Sequence, residues 1–129
     1  MVDGRSAGAL CCRFVVVQGS HSDHLHRVCV VDSDGHLLNS HGALRGQAAG
    51  QLDWPRHVTV VGDREQVLVA DFNNRRLIRL TSSLDLVAEI SAAPDIRPYR
   101  LCVDHPRRTL YVGGLMPDND SSRLAVFDI

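Results

Sequence analysis

The 129 residues balance 14 Lys and Arg against 15 Asp and Glu, a net charge of −1, so no global field draws the chain to nucleic acid or an anionic membrane. With 44% hydrophobic and 22% charged residues, the composition excludes a disordered tail and fits one ordinary globular domain. No apolar run approaches the ~20 residues of a membrane helix, and the opening MVDGRSAGALCC, with Asp3 and only a short apolar patch before Arg13, is not a secretory signal.

Residues 1–13 carry Gly, Ala and Ser with little pattern and read as a disordered or truncated leader. Phe14 to Val17 is a short β-rich run, followed by the polar loop QGSHSDHLH and the run RVCVVD (27–32). Asp32-Ser33-Asp34-Gly35 is a turn signal, and HLLNS (36–40) is the next strand candidate. HGALRGQAAG (41–50) suits a loop crossing from one sheet to another. Cys11, Cys12, Cys29 and Cys102 show neither CxxC spacing nor a paired framework, which predicts reduced thiols and a cytoplasmic protein.

From Gly50 to Ile90 four apolar runs follow one another: HVTVV (57–61), QVLVA (66–70), RLIRL (76–80) and DLVAEI (85–90). Their β-branched content, broken every few positions by Gly, Asp and Asn, predicts a four-stranded antiparallel meander. The loop SAAPDIRP then leads to RLCVD (100–104), TLYVG (109–113) and RLAVFD (123–128), with the polar loop GLMPDNDSS before the last.

The chain resembles itself. A shift of 43 residues places Pro55 on Pro98, Val58 on Leu101, and VLVAD (67–71) on LYVGG (110–114). Allowing four more residues in the later loop, Arg76-Leu77 falls on Arg123-Leu124. Upstream, a shift of 49 places Arg27-Val28 on Arg76-Leu77. A period near 43 with four strands per unit predicts an all-β fold of β-propeller blades, each a four-stranded antiparallel sheet. The expected division is a partial blade over 14–49, a complete blade over 50–92 and a partial blade over 93–129, about two and a half blades in all.

GQLDWPRHVTVV followed by VLVADFNNRRLIRL resembles the NHL repeat, a blade type with a Gly-x-Leu-x-x-Pro opening and a Val-Ala-Asp…Asn-x-Arg-Ile signature. The matching residues are Gly50, Leu52, Pro55, Val69, Ala70, Asp71, Asn74, Arg76 and Leu77. The third unit departs from the pattern, with Gly113-Gly114 in place of Ala-Asp. Similar NHL domains usually have six blades, so the resemblance implies that further blades or another copy closes the ring. An open array of sheets also invites association, so a poorly soluble or oligomeric chain is expected. Asp71, Asn74 and Arg76 form a turn cluster suited to fold maintenance, with Asp71 accepting from turn amides and Arg76 pairing with it or with the adjacent blade.

Similar propellers end tripartite-motif ubiquitin ligases, where they choose the substrate. The resemblance therefore implies an interaction module binding a protein partner, with no cofactor. No RING pattern is present, no nucleophile–base pair accompanies the signature, and the chain is expected not to be an enzyme. The alternative is RNA binding through an arginine-bearing face, with Arg75, Arg79, Arg97 and Arg100 as candidate contacts to the protein partner or to RNA. His21, His24 and His26 offer three imidazoles in six residues, a possible zinc loop, but without a second ligand group at a fixed spacing a solvated loop is the expectation.

Overall fold

The computed structural model describes residues 6–10, 13–62, 65–91, 96–118 and 121–129, the first of these segments by its backbone. Among the described residues, eleven strands form three antiparallel sheets in strict chain order. Blade 1 holds β1 (Ser6–Leu10), β2 (Arg13–Gln18), β3 (His26–Asp32) and β4 (Leu37–Ala43). Blade 2 holds β5 (Pro55–Val61), β6 (Gln66–Asp71), β7 (Arg76–Leu80) and β8 (Leu86–Ser91). Blade 3 holds β9 (Arg97–Asp104), β10 (Thr109–Leu115) and β11 (Ser122–Asp128). β5 packs on β1 on one side and β9 on the other, whereas β4 and β8 are largely exposed. The first strand of each sheet is therefore innermost and the last outermost, as in a propeller.

Alternation along the strands explains how the blades join. In β6, Val67 and Val69 point to blade 1, while Leu68 and Ala70 point to blade 3. Their cross-strand partners follow the same sides: Leu80 and Ile78 face blade 1, and Leu77 faces blade 3. One core therefore gathers Val15, Val17, Val28 and Val30 of blade 1 with Val58, Val67, Val69, Ile78 and Leu80 of blade 2. The other gathers Leu68, Ala70 and Leu77 with Leu101, Leu110 and Val112 of blade 3. A middle blade is apolar on both faces because each face is covered by a neighbour.

Two expectations need correction. Residues 6–10, read as leader, form β1, which pairs with β2 from Ser6↔Val17 to Leu10↔Arg13. The unit expected as a partial blade is thus a four-stranded sheet. SAGAL has no β-branched residue to announce a strand; the apolar face of β2 and its free backbone groups supply what propensity does not. Residues 1–5, 11 and 12, the remainder of most of that leader, lie outside the described residues.

Blade 3 departs from blade 2 by a matched exchange. Gly114 lies opposite Arg123, just as Asp71 lies opposite Arg76. A Cβ on Gly114 would stand 1.8 Å from Ile96 Cγ2 and 2.9 Å from the Arg97 carbonyl oxygen. Ile96 is fully buried and sits 43 residues after Asp53, the residue whose amide reaches Asp71 in blade 2. An apolar plug over a glycine thus replaces a polar contact.

Blades 2 and 3 also meet through a histidine. The Leu101 amide donates to His57 Nδ1 at 2.8 Å, which requires that nitrogen to be unprotonated. Burial holds the His57 imidazole below its ordinary value, with the Arg100 charge adding to it, and burial does the same to His41. Groups whose folded pKa is depressed contribute stability that is present above the unfolded value of 6.5 and lost as pH falls through the folded one. The melting temperature is expected to fall between pH 7.5 and pH 5.5, as followed by circular dichroism. His57→Asn keeps an acceptor near the Nδ1 position without titrating, so its profile should be flatter; an equally steep profile would exclude His57 as a source.

Candidate interaction site

The β2–β3 and β6–β7 loops and the crossover 44–54 lie at one end of the blades, and two polar networks fix them. In the first, Asp71 is fully buried at the end of β6. Its Oδ1 accepts the Asp53 amide at 2.8 Å, and its Oδ2 accepts from Asn74 Nδ2 and Arg76 Nε, both at 2.8 Å. Burial pushes the Asp71 carboxyl up, and the bonds from Asn74, the Asp53 amide and Arg76 pull the other way. Arg76 Nη1 donates to the Gln47 carbonyl at 3.0 Å and to Glu89, and Nη2 donates to the Gln51 carbonyl at 2.7 Å. Asn74 also donates to the Gly46 carbonyl at 2.8 Å. Backbone carbonyls of the crossover, which no sheet satisfies, thus find donors in the signature side chains.

The remaining signature positions divide. Leu52 is fully buried in the core between blades 1 and 2, and Pro55 opens β5 opposite Asp71. Gly50 is exposed, and a Cβ there would meet nothing within 4 Å. Blade 1 repeats the lock in weaker form: Arg27 Nε donates to Gln18 Oε1 at 2.9 Å, in the register that Arg76 and Asp71 occupy.

The second network surrounds His26, also fully buried. The Trp54 amide donates to His26 Nδ1 at 2.9 Å, so the ring proton sits on Nε2 and points to the Ser22 carbonyl at 2.8 Å. Arg45 Nη2 donates to the same carbonyl at 3.1 Å, its amide reaches the Asp23 carbonyl at 2.7 Å, and its Nε lies 3.6 Å from Asp53 Oδ1. Asp53 joins the two networks, since its amide donates to Asp71 Oδ1 while its carboxylate lies beside Arg45 Nε and also accepts from Asn73 Nδ2 at 3.0 Å. Gly42 allows the close approach beneath, because at φ +87° a Cβ would stand 2.6 Å from the His26 carbonyl oxygen. Sequence reasoning missed Arg45, Asp53 and the crossover carbonyls. Apart from the Arg45–Asp53 contact, their partners lie 18 to 29 residues away, beyond any local motif.

The three histidines do not converge as metal ligands. His26 is committed to hydrogen bonds on both nitrogens, His21 tilts against Trp54 with ring centroids 5.1 Å apart, and His24 is exposed. Among the described residues, the metal-type cluster is instead Asp32, Asp34 and His36 at the β3–β4 turn. There Asp32 Oδ1 accepts the amides of Asp34 and His36, both at 2.9 Å, and these bonds, that of His36 foremost, hold its carboxyl below the usual value. Such amide capping is ordinary for an Asp that opens a turn.

The four arginines considered for RNA lie apart. Arg75 is exposed in the β6–β7 turn, and Arg97 stacks on Phe72, its guanidinium carbon 4.9 Å from the ring centroid, with Arg56 at 5.0 Å on the same ring. Arg79 donates to Gln66 and lines a cavity of about 340 Å³ with Gly62, His105 and Arg108 at the other end of the blades. Arg100 is exposed in β9 beside Gly113, on the face of blade 3 turned away from blade 2.

No family model and no curated protein matches the chain. Its fold matches solved structures. Virginiamycin B lyase from Staphylococcus aureus superposes with a TM-score of 0.60 at 13% identity, over 98% of this chain and 41% of that one. A streptogramin B lyase structure gives 0.58 at 16% identity, over 98% and 40%. The chain therefore spans about two fifths of the length of these neighbours. The likeness shows a propeller-type fold, without singling out the NHL type. It also overturns the expectation that the chain is not an enzyme: both of these structures are lyases, so the fold carries catalysis in those proteins, and a missing RING pattern does not decide the matter.

Proposed function

We propose that the chain is a propeller segment of NHL-like type whose loop end binds a protein partner. The observation that carries this reading is a pair of exposed leucines held on a fixed base. Leu25 and Leu44, 41% and 51% exposed, flank the paired residues His26 and Ala43. The loop beneath Leu25 is tied by Arg45 and by Ser20 and Ser22 bonds to the His24 carbonyl, and Leu25 is held at φ +65°. A non-glycine residue in that conformation costs on the order of 1–3 kcal/mol and persists only where its surroundings impose it. Apolar side chains presented on a preordered base bind with little ordering cost. The NHL type and a substrate-recognition role beside a ubiquitin ligase are supported by the signature residues of blade 2, and a reducing cytoplasmic setting by the cysteine pattern. Among the described residues no helix is long and apolar enough to cross a membrane.

The test is selection from a random linear-peptide library, with affinities of enriched peptides measured by fluorescence anisotropy. Leu25→Asp and Leu44→Asp are expected to weaken binding by about tenfold or more each, the ~1.4 kcal/mol typical of an interface anchor. Their exposure should leave the melting temperature unchanged. Peptides that bind both variants as well as the parent would overturn the assignment, as would tighter binding of a labelled single-stranded RNA in the same assay.

A further inference from the structure

Among the described residues, the buried or half-buried arginines Arg27, Arg45, Arg76 and Arg79 each donate to an oxygen. Arg97 is the exception. It is half-buried, its Nε is shut away from solvent without an acceptor, and no described carboxylate pairs with it. What holds it is the Phe72 ring, 4.9 Å from its guanidinium carbon, and Arg56 lies over the same ring at 5.0 Å, exposed and likewise unpaired. Cations drawn out of water ordinarily find a counter-charge. The described acids of this end are committed elsewhere: Asp23 and Asp53 lie beside Arg45, and Asp71 holds Arg76.

Comparison of the two joints shows that packing does not require this charge. Pro98 matches Pro55, so Arg97 stands where Trp54 stands one blade earlier. Gln18 matches Asp71 in register, so Phe72 stands where Gly19 stands. At the earlier joint the Trp54 indole covers Gly19, its Cδ2 3.4 Å from where a Cβ would be. A neutral ring over a glycine in one joint thus becomes a cation over a ring in the next. Arg56 joins it by way of a bulge: Pro55 faces Asp71 and His57 faces Ala70, leaving Arg56 as the extra residue. Bulges of this kind re-aim a side chain.

We propose that Arg56 and Arg97, braced on Phe72, take the carboxylates of an acidic peptide, so that the partner bound at this end carries Asp or Glu. The proposal rests on the protein-partner reading above and adds the charge of the partner. Guanidinium groups bind carboxylates through parallel N–H···O bonds, and stacking on a ring fixes the guanidinium plane while leaving its N–H edge open. Groups fixed beforehand lose little freedom on pairing. The pair also stands at the same end as Leu25: Arg56 follows Trp54 by two residues, and the Trp54 amide bonds His26, the residue after Leu25.

The experiment is fluorescence anisotropy of the 129-residue chain with fluorescein-labelled hexaglutamate and hexaglutamine. Hexaglutamate is expected to bind at least tenfold more tightly, and Arg56→Gln and Arg97→Gln should each weaken it by about tenfold. Arg123→Gln, which removes an exposed arginine of β11, should leave its binding unchanged and so separates the pair from positive charge in general. Arg56 is exposed, so its variant keeps the parent melting temperature and decides the outcome even where Arg97→Gln is destabilised. Equal binding of the two peptides, parent-like binding by Arg56→Gln, or an equal loss in Arg123→Gln would each overturn the proposal. Tighter binding of a labelled oligouridylate, lost in the same two variants, would overturn it in favour of phosphate. Hexaglutamate has no apolar side chain, so failure here leaves the leucine anchors standing, and failure of the leucine variants in the peptide selection leaves this result standing.

Discussion

Replacing Asp71 by alanine is expected to destabilise the chain by about 3 kcal/mol, the lower part of the range for breaking a buried ion pair by removing one partner. Asp71 is fully buried and accepts from the Asp53 amide, Asn74 and Arg76. Its loss leaves Arg76, 8% exposed, with an unmet Nε, and frees the amide that begins the return to β5. The cost stays near the lower end because Glu89 still holds Nη1 and the Gln51 carbonyl holds Nη2. Asp71→Asn should cost less, about 1–2 kcal/mol, since one acceptor oxygen remains. Blade 1 already runs the same pair with the neutral amide of Gln18. Urea midpoints measure both; an alanine variant within 1 kcal/mol of the parent would show that the crossover does not depend on this contact.

The second large effect lies in blade 3. Gly114→Ala is expected to destabilise by about 1–3 kcal/mol, as overpacking of a filled site does. The added methyl has no room beside Ile96 Cγ2 and the Arg97 carbonyl. Ile96→Ala alone should cost about 2–5 kcal/mol, since it empties a fully buried position. The double variant is expected to cost less than the sum, because the new methyl occupies part of the space that isoleucine vacates. Strict additivity in thermal and urea unfolding would show that the two residues do not share that space.

How far the sequence was legible follows from where each signal resides. The strands of blade 2 and the later strands of the other blades announce themselves through β-branched runs and turn residues, which are local. β1 is invisible in SAGAL because its pairing with Val15, Val16 and Val17, rather than its own propensity, makes it a strand. The pairing of Asp71 with Arg76 could be anticipated from the repeat, since the two face each other across a short turn. That Asp71 takes the Asp53 amide, and that Arg76 spends its guanidinium on the crossover carbonyls, could not, because those groups come from a segment that reads only as Gly- and Ala-rich loop. His26 and His24 are alike in sequence and opposite in the fold. One is sealed under Trp54 and the other stands in solvent. Stacking of Arg97 on Phe72 likewise joins residues of different blades and removes from an imagined RNA face one of its four members.

Because neighbouring residues of β6 serve opposite joints, the strand has a parity that length changes must respect. Inserting one residue between Leu68 and Val69 would send each later side chain to the wrong neighbour, exchanging the halves of both cores at once. Loops have no such parity. The third unit accordingly carries its extra residues between β10 and β11, while Leu110 and Val112 keep the phase of Val67 and Val69. Units of this kind can drift in overall length through their loops, yet their strands are held to an odd-and-even frame.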